Sequence, residues 1–171
     1  FYGSLVAKAR VKGFQGSSLA DPSTIVACAK HFVAYGAAMG GRDYNTVDIS
    51  NRTLHEVYLP PFKAAIDAGV GTFMSSFNEL NGVPVTGNKE MVKDILKDEW
   101  QFNGFIVSDW GSIREMLVHG IAADDYQAAD LAMNAGIDMD MEGHIYIHQL
   151  KKLLADGKIT EKQIDDAVRR I

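Results

Sequence analysis

The sequence predicts an α/β fold built on a parallel sheet, and three observations carry that expectation. Four short apolar runs, "TIVACAKHF" (24–32), "VGTFMSSF" (70–77), "GFIVSD" (104–109) and "GIDMDM" (136–141), lack the polar alternation of a half-exposed strand. Strands covered on both faces read this way. A helical pattern follows each run, giving the strand–loop–helix repeat of a parallel sheet. The loops after the runs are long and polar, above all "VAYGAAMGGRDYNTVD" (33–48).

Phe1 to Ala20 carries only a generic helical pattern, so residues 1–23 are expected to form a helical lead-in. After the first run, Ser50 stands where an N-cap is needed, and Leu54, Val57 and Tyr58 follow at helical spacing. Pro60 and Pro61 interrupt that helix. "PFKAAIDAG" restarts it with proline in the first turn, where a missing N–H costs nothing, and stops on Gly69. The second run leads through the turn "NGVPVTGN" to "KEMVKDILKDEW", whose Val92, Ile95, Leu96 and Trp100 make an apolar stripe. After the third run, Ser112 and Glu115 have the spacing of a capping box. "DDYQAADLAMNAG" adds a helix ended by Gly136, and "IYIHQLKKLLADG" adds another after the fourth run. Thr160 and Gln163 box the start of the last helix.

A length of 171 residues with 47% hydrophobic content suits one domain, or a large piece of a bigger one. A net charge of −5 without a basic patch argues against nucleic acid as a partner. Cys28 is the single cysteine, so no intrachain disulfide forms, and its apolar setting predicts a buried, inert thiol. No apolar run approaches the ~18 residues of a membrane span, which argues against a membrane partner. "FYGSLVAKAR" lacks the pattern of a signal peptide. The chain starts without methionine and ends on "AVRRI" in a helical pattern, so a segment of a longer protein is expected.

Polar side chains gather at the predicted strand ends, where parallel α/β folds build their sites. The first run ends on Lys30 and His31, the second near Ser76, Phe77 and Asn78, and the third on Asp109 and Trp110. The fourth carries Asp138, Asp140 and Glu142. Asp109 is suited to act as nucleophile, general base or metal ligand. Trp110 offers an aromatic face for a sugar ring or another ligand, or else packs in the core. Lys30 and His31 supply donors for hydroxyl-rich or anionic ligands. Lys30 also admits a Schiff-base reading, as in barrel aldolases. His144 and His148 lie four apart, but "HIYIH" has no catalytic glutamate between them. An exposed helix face fits them better than a metal site, and no metal is expected.

Taken together, "ACAKHFVAYGAAMGGRDYNTVD", "FMSSFNELNGVPVTGN", "FNGFIVSDWGSI" and "AGIDMDM" resemble the catalytic barrel of glycoside hydrolase family three in its β-glucosidase form. The resemblance runs from about residue 22 to the C-terminus. It implies a (β/α) barrel of the TIM type, about half present, roughly strands five to eight. On that reading residues 24–157 are the second half of the barrel, and 158–171 a linker helix toward a further domain. Asp109 is then similar to the nucleophile that forms a covalent glycosyl-enzyme. Lys30 and His31 match the pair that binds sugar hydroxyls. Asp43, in "GRDYNTV", falls where an acidic sugar-binding residue is common. Met74, Phe77 and Trp110 match residues that line the pocket. Phe77 departs from the pattern, which commonly has tyrosine there. "KHFVAYG" also departs from the "KHFPGHG" of the N-acetylglucosaminidase branch.

The resemblance implies a retaining exo-β-glycosidase acting on a β-glucoside or β-linked oligosaccharide, without cofactor. Its acid/base would come from an α/β sandwich domain outside this chain, and the first half barrel would be a further partner. Glu79 and Glu142 are the candidates within the chain, although neither matches the family's acid/base. It also suggests a periplasmic or secreted location and leaves a homo-oligomer open. The rival readings are the Lys30 aldolase and a non-catalytic fragment that binds carbohydrate or oligomerises.

Overall fold

A computed structural model describes residues 1–171, and its centre is a three-stranded parallel sheet. Helix α1 (Tyr2–Gln15) leads to strand β1 (Cys28–Phe32). The Gln15 carboxamide joins α1 to the sheet: Oε1 accepts from Ala27 N (3.1 Å) and Gly71 N (3.0 Å), and Nε2 donates to Gly69 O (2.8 Å). Helix α2 (Asn51–Thr53) is capped by Ser50, whose Oγ accepts from Thr53 N. A widened i→i+5 turn, Leu54–Tyr58, then runs into α3 (Pro60–Asp67). The wide turn and the proline-rich start belong together, because neither proline has an N–H to offer the preceding turn.

Strand β2 (Thr72–Ser75) pairs in parallel with β1 and with β5 (Phe105–Val107). Between β2 and β5 stand a small hairpin, β3 (Glu79–Leu80) with β4 (Val83–Pro84), and an i→i+5 helix, Glu90–Glu99. The hairpin turns on Asn81 and Gly82, both at positive φ (51° and 89°), the geometry that favours Asn-Gly. Helices α4 (Ser112–Val118), α5 (Asp125–Ala135), α6 (Ile145–Ala155) and α7 (Glu161–Arg170) complete the chain. Thr160 and Gln163 form the expected capping box on α7.

The sheet order β1-β2-β5 follows the chain order without reversal. The fourth run was expected to be a strand and is not one. It contributes a single parallel bridge, Val107 to Met139, with Ser108 N donating to Met139 O (2.9 Å). The run is cut short because Asp140 turns to accept from Ile145 N (2.7 Å) and Tyr146 N (3.2 Å) at the start of α6. The sheet therefore has three strands and a bridged segment rather than four strands.

The core lies between sheet and helices. Phe32 and Phe73 meet Phe62 and Phe102 mostly edge to face, with Phe73 and Phe102 centroids 4.8 Å apart. Val92, Ile95 and Leu96 are buried as their stripe required, and Trp100 packs on Phe32. On α5, Ala128, Ala129 and Ala132 have no exposed surface, so small side chains set the close approach of that helix.

Two local expectations fail. Ser112 does not cap α4: the cap position is Gly111 in the left-handed region (φ 67°), and Ser112 is the first helical residue. Its buried hydroxyl instead joins a chain, Ser75–Thr86–Ser112, with both contacts at 2.9 Å. Cys28 is exposed rather than buried, because β1 is the edge strand of the sheet.

Candidate active site

The C-terminal ends of β1, β2 and β5 bring His31, Ser76 to Asn78, and Asp109 with Trp110 to one side of the sheet. Asp109 is 7% exposed. Its Oδ1 accepts from Trp110 N at 2.7 Å, while Oδ2 is buried without a hydrogen-bond partner. His31 Nε2 lies 3.4 Å from that oxygen, close enough for attraction but not aligned for a hydrogen bond. The turn carrying Asp109 is pinned on both sides. Gly111 N donates to Met141 O (2.8 Å), and Met141 N donates to Ser108 Oγ (2.9 Å). The carboxylate is thus held by its neighbours with one oxygen left unpaired. Burial pushes the His31 imidazole below its usual pKa, aided by Lys30 and opposed by Asp109 and Asp43. His31 is accordingly neutral at pH 7, with one nitrogen to donate and one to accept.

The Gly-rich loop folds over this mouth. Tyr35 packs against His31 (5.2 Å) and Phe77 (6.2 Å), and Tyr44 meets Phe77 edge-on at 4.5 Å. Tyr35 Oη donates to Asp43 Oδ1. Burial and this carboxylate push the Tyr35 phenol well above its usual value. The loop is tied down where Val47 pairs with Leu80 and where Thr46 Oγ1 donates to Glu79 Oε1 (3.0 Å). His119 Nδ1 approaches the same oxygen at 3.6 Å. Glu79 is therefore engaged in fastening the loop.

Phe77 (9% exposed) and Met74 (8%) are buried at the end of β2, whereas Trp110 is 62% exposed. Asp43 and Lys30 are exposed, and Lys30 makes no side-chain hydrogen bond. Asp138 does not join the mouth. Its carboxylate is taken by Lys97 and Arg170 from the helices and by Ile106 N of β5. Glu142 is exposed, and no group of three or more His, Cys, Asp or Glu side chains is placed to hold a metal.

Sequence reading missed Glu115. Freed from capping, it is half-buried on α4, and burial pushes its carboxyl up, with Asp109 and Asp43 adding to the rise and His119 opposing it. The signal was there: Glu115 and His119 are four apart on the helix that leaves Asp109, so they share a face.

Residues 3–171 match the family model for the glycosyl hydrolase family 3 N terminal domain. The chain belongs to glycosyl hydrolase family 3. Among its family 3 relatives, a periplasmic beta-glucosidase of Salmonella typhimurium is 45% identical over 98% of this chain and 22% of its own length. A beta-xylosidase of Formosa agariphila is 39% identical over 94% of this chain and 24% of its own. The crystal structure of a beta-glucosidase from Listeria innocua in complex with isofagomine superposes with a TM-score of 0.95, at 44% identity, over 98% of this chain and 24% of that one. The chain thus spans about a quarter or less of the relatives it matches.

Proposed function

We propose that this chain is the nucleophile-bearing part of a retaining exo-β-glycosidase that hydrolyses β-glucosides through a covalent glycosyl-Asp109 intermediate. The observation that carries the reading is the Asp109 carboxylate: buried, held through one oxygen, and without a hydrogen-bond partner at the other. Oδ2 attacks the anomeric carbon, and the bond to the leaving oxygen breaks as an acid protonates it. Water then attacks the glycosyl ester, giving up a proton to the same acid/base group, and Asp109 is regenerated. In a retaining enzyme the two carboxyl groups stand ~5–5.5 Å apart. Glu79 is tied to Thr46 and Glu142 is exposed, so the acid/base is assigned to a segment outside these residues.

His31 and Lys30 would hold ring hydroxyls, with contacts that strengthen as the ring flattens toward an oxocarbenium ion. Asp43, Met74, Phe77 and Trp110 would complete the pocket for a terminal β-linked glucose. Residues 24–157 would then be the second half of the barrel, roughly strands five to eight, with 1–23 a lead-in and 158–171 a linker. The first half barrel and a sandwich domain would be the remaining parts, and the relative named as periplasmic supports an exported enzyme. The Schiff-base alternative gains nothing from the site, because Lys30 is exposed rather than desolvated.

The test is Asp109→Asn in the full-length enzyme. Turnover of an aryl β-glucoside should fall by about 10³-fold or more, with the melting temperature at or above that of wild type. Retention of more than about a tenth of kcat would refute the assignment.

A further inference from the structure

Glu79 stands between two parts of the mouth that the chain makes separately. Its Oε1 accepts from Thr46 Oγ1 at 3.0 Å, on the Gly-rich loop, and His119 Nδ1 approaches the same atom at 3.6 Å from the end of α4. Helix α4 starts in the turn of Asp109, where Ser112 N donates to Asp109 O (3.1 Å). One oxygen thus joins the loop that carries Asp43 to the helix that begins at Asp109. A carboxylate oxygen can serve both approaches because it has two lone pairs.

The backbone of the hairpin repeats the tie one step further along. Glu79 O accepts from Val47 N (2.9 Å), Asn81 N donates to Val47 O (2.8 Å), and Asn81 Oδ1 accepts from Ile49 N (3.0 Å). These bonds fix residues 47 to 49. The segment just before them holds a costly conformation: Tyr44 stands in the left-handed region (φ 62°), which disfavours a residue with a Cβ. From outside the loop that segment is anchored by the Tyr44 ring on Phe77 (4.5 Å) and by the Thr46 hydroxyl on Glu79. Asp43, next to Tyr44, reaches the reacting groups. Tyr35 donates to its Oδ1 and packs on His31 (5.2 Å), whose Nε2 lies 3.4 Å from Asp109 Oδ2. Releasing the anchor would let Asp43 move relative to the nucleophile, and a misplacement of ~1 Å can cost about 10²-fold in rate.

We propose that Glu79 is a positioning residue of the glycosidase. Acting through Thr46, it holds Asp43 where the terminal sugar docks, so its contribution passes through Asp43 and not through a contact of its own with substrate. The inference rests on the reading of Asp109 as nucleophile and of Asp43 as a sugar-binding residue.

The experiment is a double-mutant cycle in the full-length enzyme, read as kcat/KM on an aryl β-glucoside. Glu79→Ala should lower kcat/KM by about tenfold, the worth of a hydrogen bond to a charged group. In an Asp43→Ala background that cost should shrink by at least about threefold, because the residue being positioned is gone. Melting curves verify folding, and Thr46→Val, which removes only the hydroxyl donor, carries the same cycle should Glu79→Ala fail to fold. A cost that shrinks less, no cost at all, or an Asp43→Ala enzyme with wild-type kcat/KM overturns the proposal. A purely structural tie would lower the melting temperature equally in both backgrounds and leave kcat/KM of the folded enzyme unchanged. Asp109→Asn in the same assay separates the two readings. Should it abolish turnover while the Glu79→Ala cost does not shrink, only the positioning role is wrong. Should it spare turnover, the nucleophile is wrong and this inference falls with it.

Discussion

Asp109 and Asp138 are buried to the same degree, each 7% exposed, on neighbouring segments of one sheet, yet the protein treats them in opposite ways. Asp138 accepts five hydrogen bonds, from Lys97, Ile106 N and Arg170, and both of its oxygens are used. Asp109 accepts one, and its other oxygen has no partner. A buried carboxylate is costly unless paired and hydrogen-bonded. Asp138 meets that requirement and ties the β5 layer to α7. Asp109 does not, and the turn around it holds it in place regardless. Burial alone therefore does not separate these two carboxylates; their hydrogen-bonding does, and it fits the proposal that Asp109 is the nucleophile.

Substitution should split the two residues by kind of effect. Asp109→Asn should remove activity and leave the fold intact. Asp138→Asn should do the reverse, since Lys97 and Arg170 would keep their charges with a weakened partner. A loss of about 3–5 kcal/mol is expected in denaturant titration, with normal turnover in whatever fraction stays folded. Comparable losses of stability in the two variants would erase the distinction.

A smaller effect is expected at His31, half-buried and 3.4 Å from the unpaired oxygen. His31→Ala should lower kcat/KM on an aryl β-glucoside by about 10²-fold, through lost transition-state contacts, while the melting temperature changes little. An unfolded variant whose surviving fraction is fully active would make His31 a packing residue instead.

Glu115 gives the smallest effect and the sharpest sign. Its carboxyl is pushed up in the folded protein by burial and by Asp109 and Asp43. Between the ordinary carboxylate value and that raised value, the folded chain keeps a proton the unfolded chain has lost. Stability therefore falls as pH rises through this window. Glu115→Gln lacks that fall, so its melting temperature relative to wild type should climb as pH rises above the ordinary carboxylate value of about 4. A difference that stays constant over the range would mean that Glu115 is solvated.

The sequence made the mouth legible because chemistry there follows the chain. "FIVSDW" places a carboxylate and an indole directly after an apolar strand, and the Gly-rich loop announces backbone that must bend. What failed needed distance or orientation. "GIDMDM" gives no alternation to show that Asp138 turns to the helices while Asp140 caps α6. The spacing of Ser112 and Glu115 fits a capping box, but the left-handed Gly111 moves the cap back by one residue and frees Glu115. Glu79 offered itself as an acid, yet its partner Thr46 lies 33 residues away. Cys28 reads as buried because its neighbours are apolar, whereas its exposure follows from the edge position of β1.

The most direct measurement is covalent trapping in the full-length enzyme. A 2-deoxy-2-fluoro-β-glucoside with a good leaving group should form a glycosyl ester that hydrolyses slowly, because fluorine destabilises the oxocarbenium-like transition states of both steps. Peptide mapping by mass spectrometry should then find one glycosyl unit, on the peptide containing Asp109 and on that side chain. A label on Glu79, Glu115 or Glu142, or steady turnover with no labelled peptide, would contradict the assignment of Asp109 as the nucleophile.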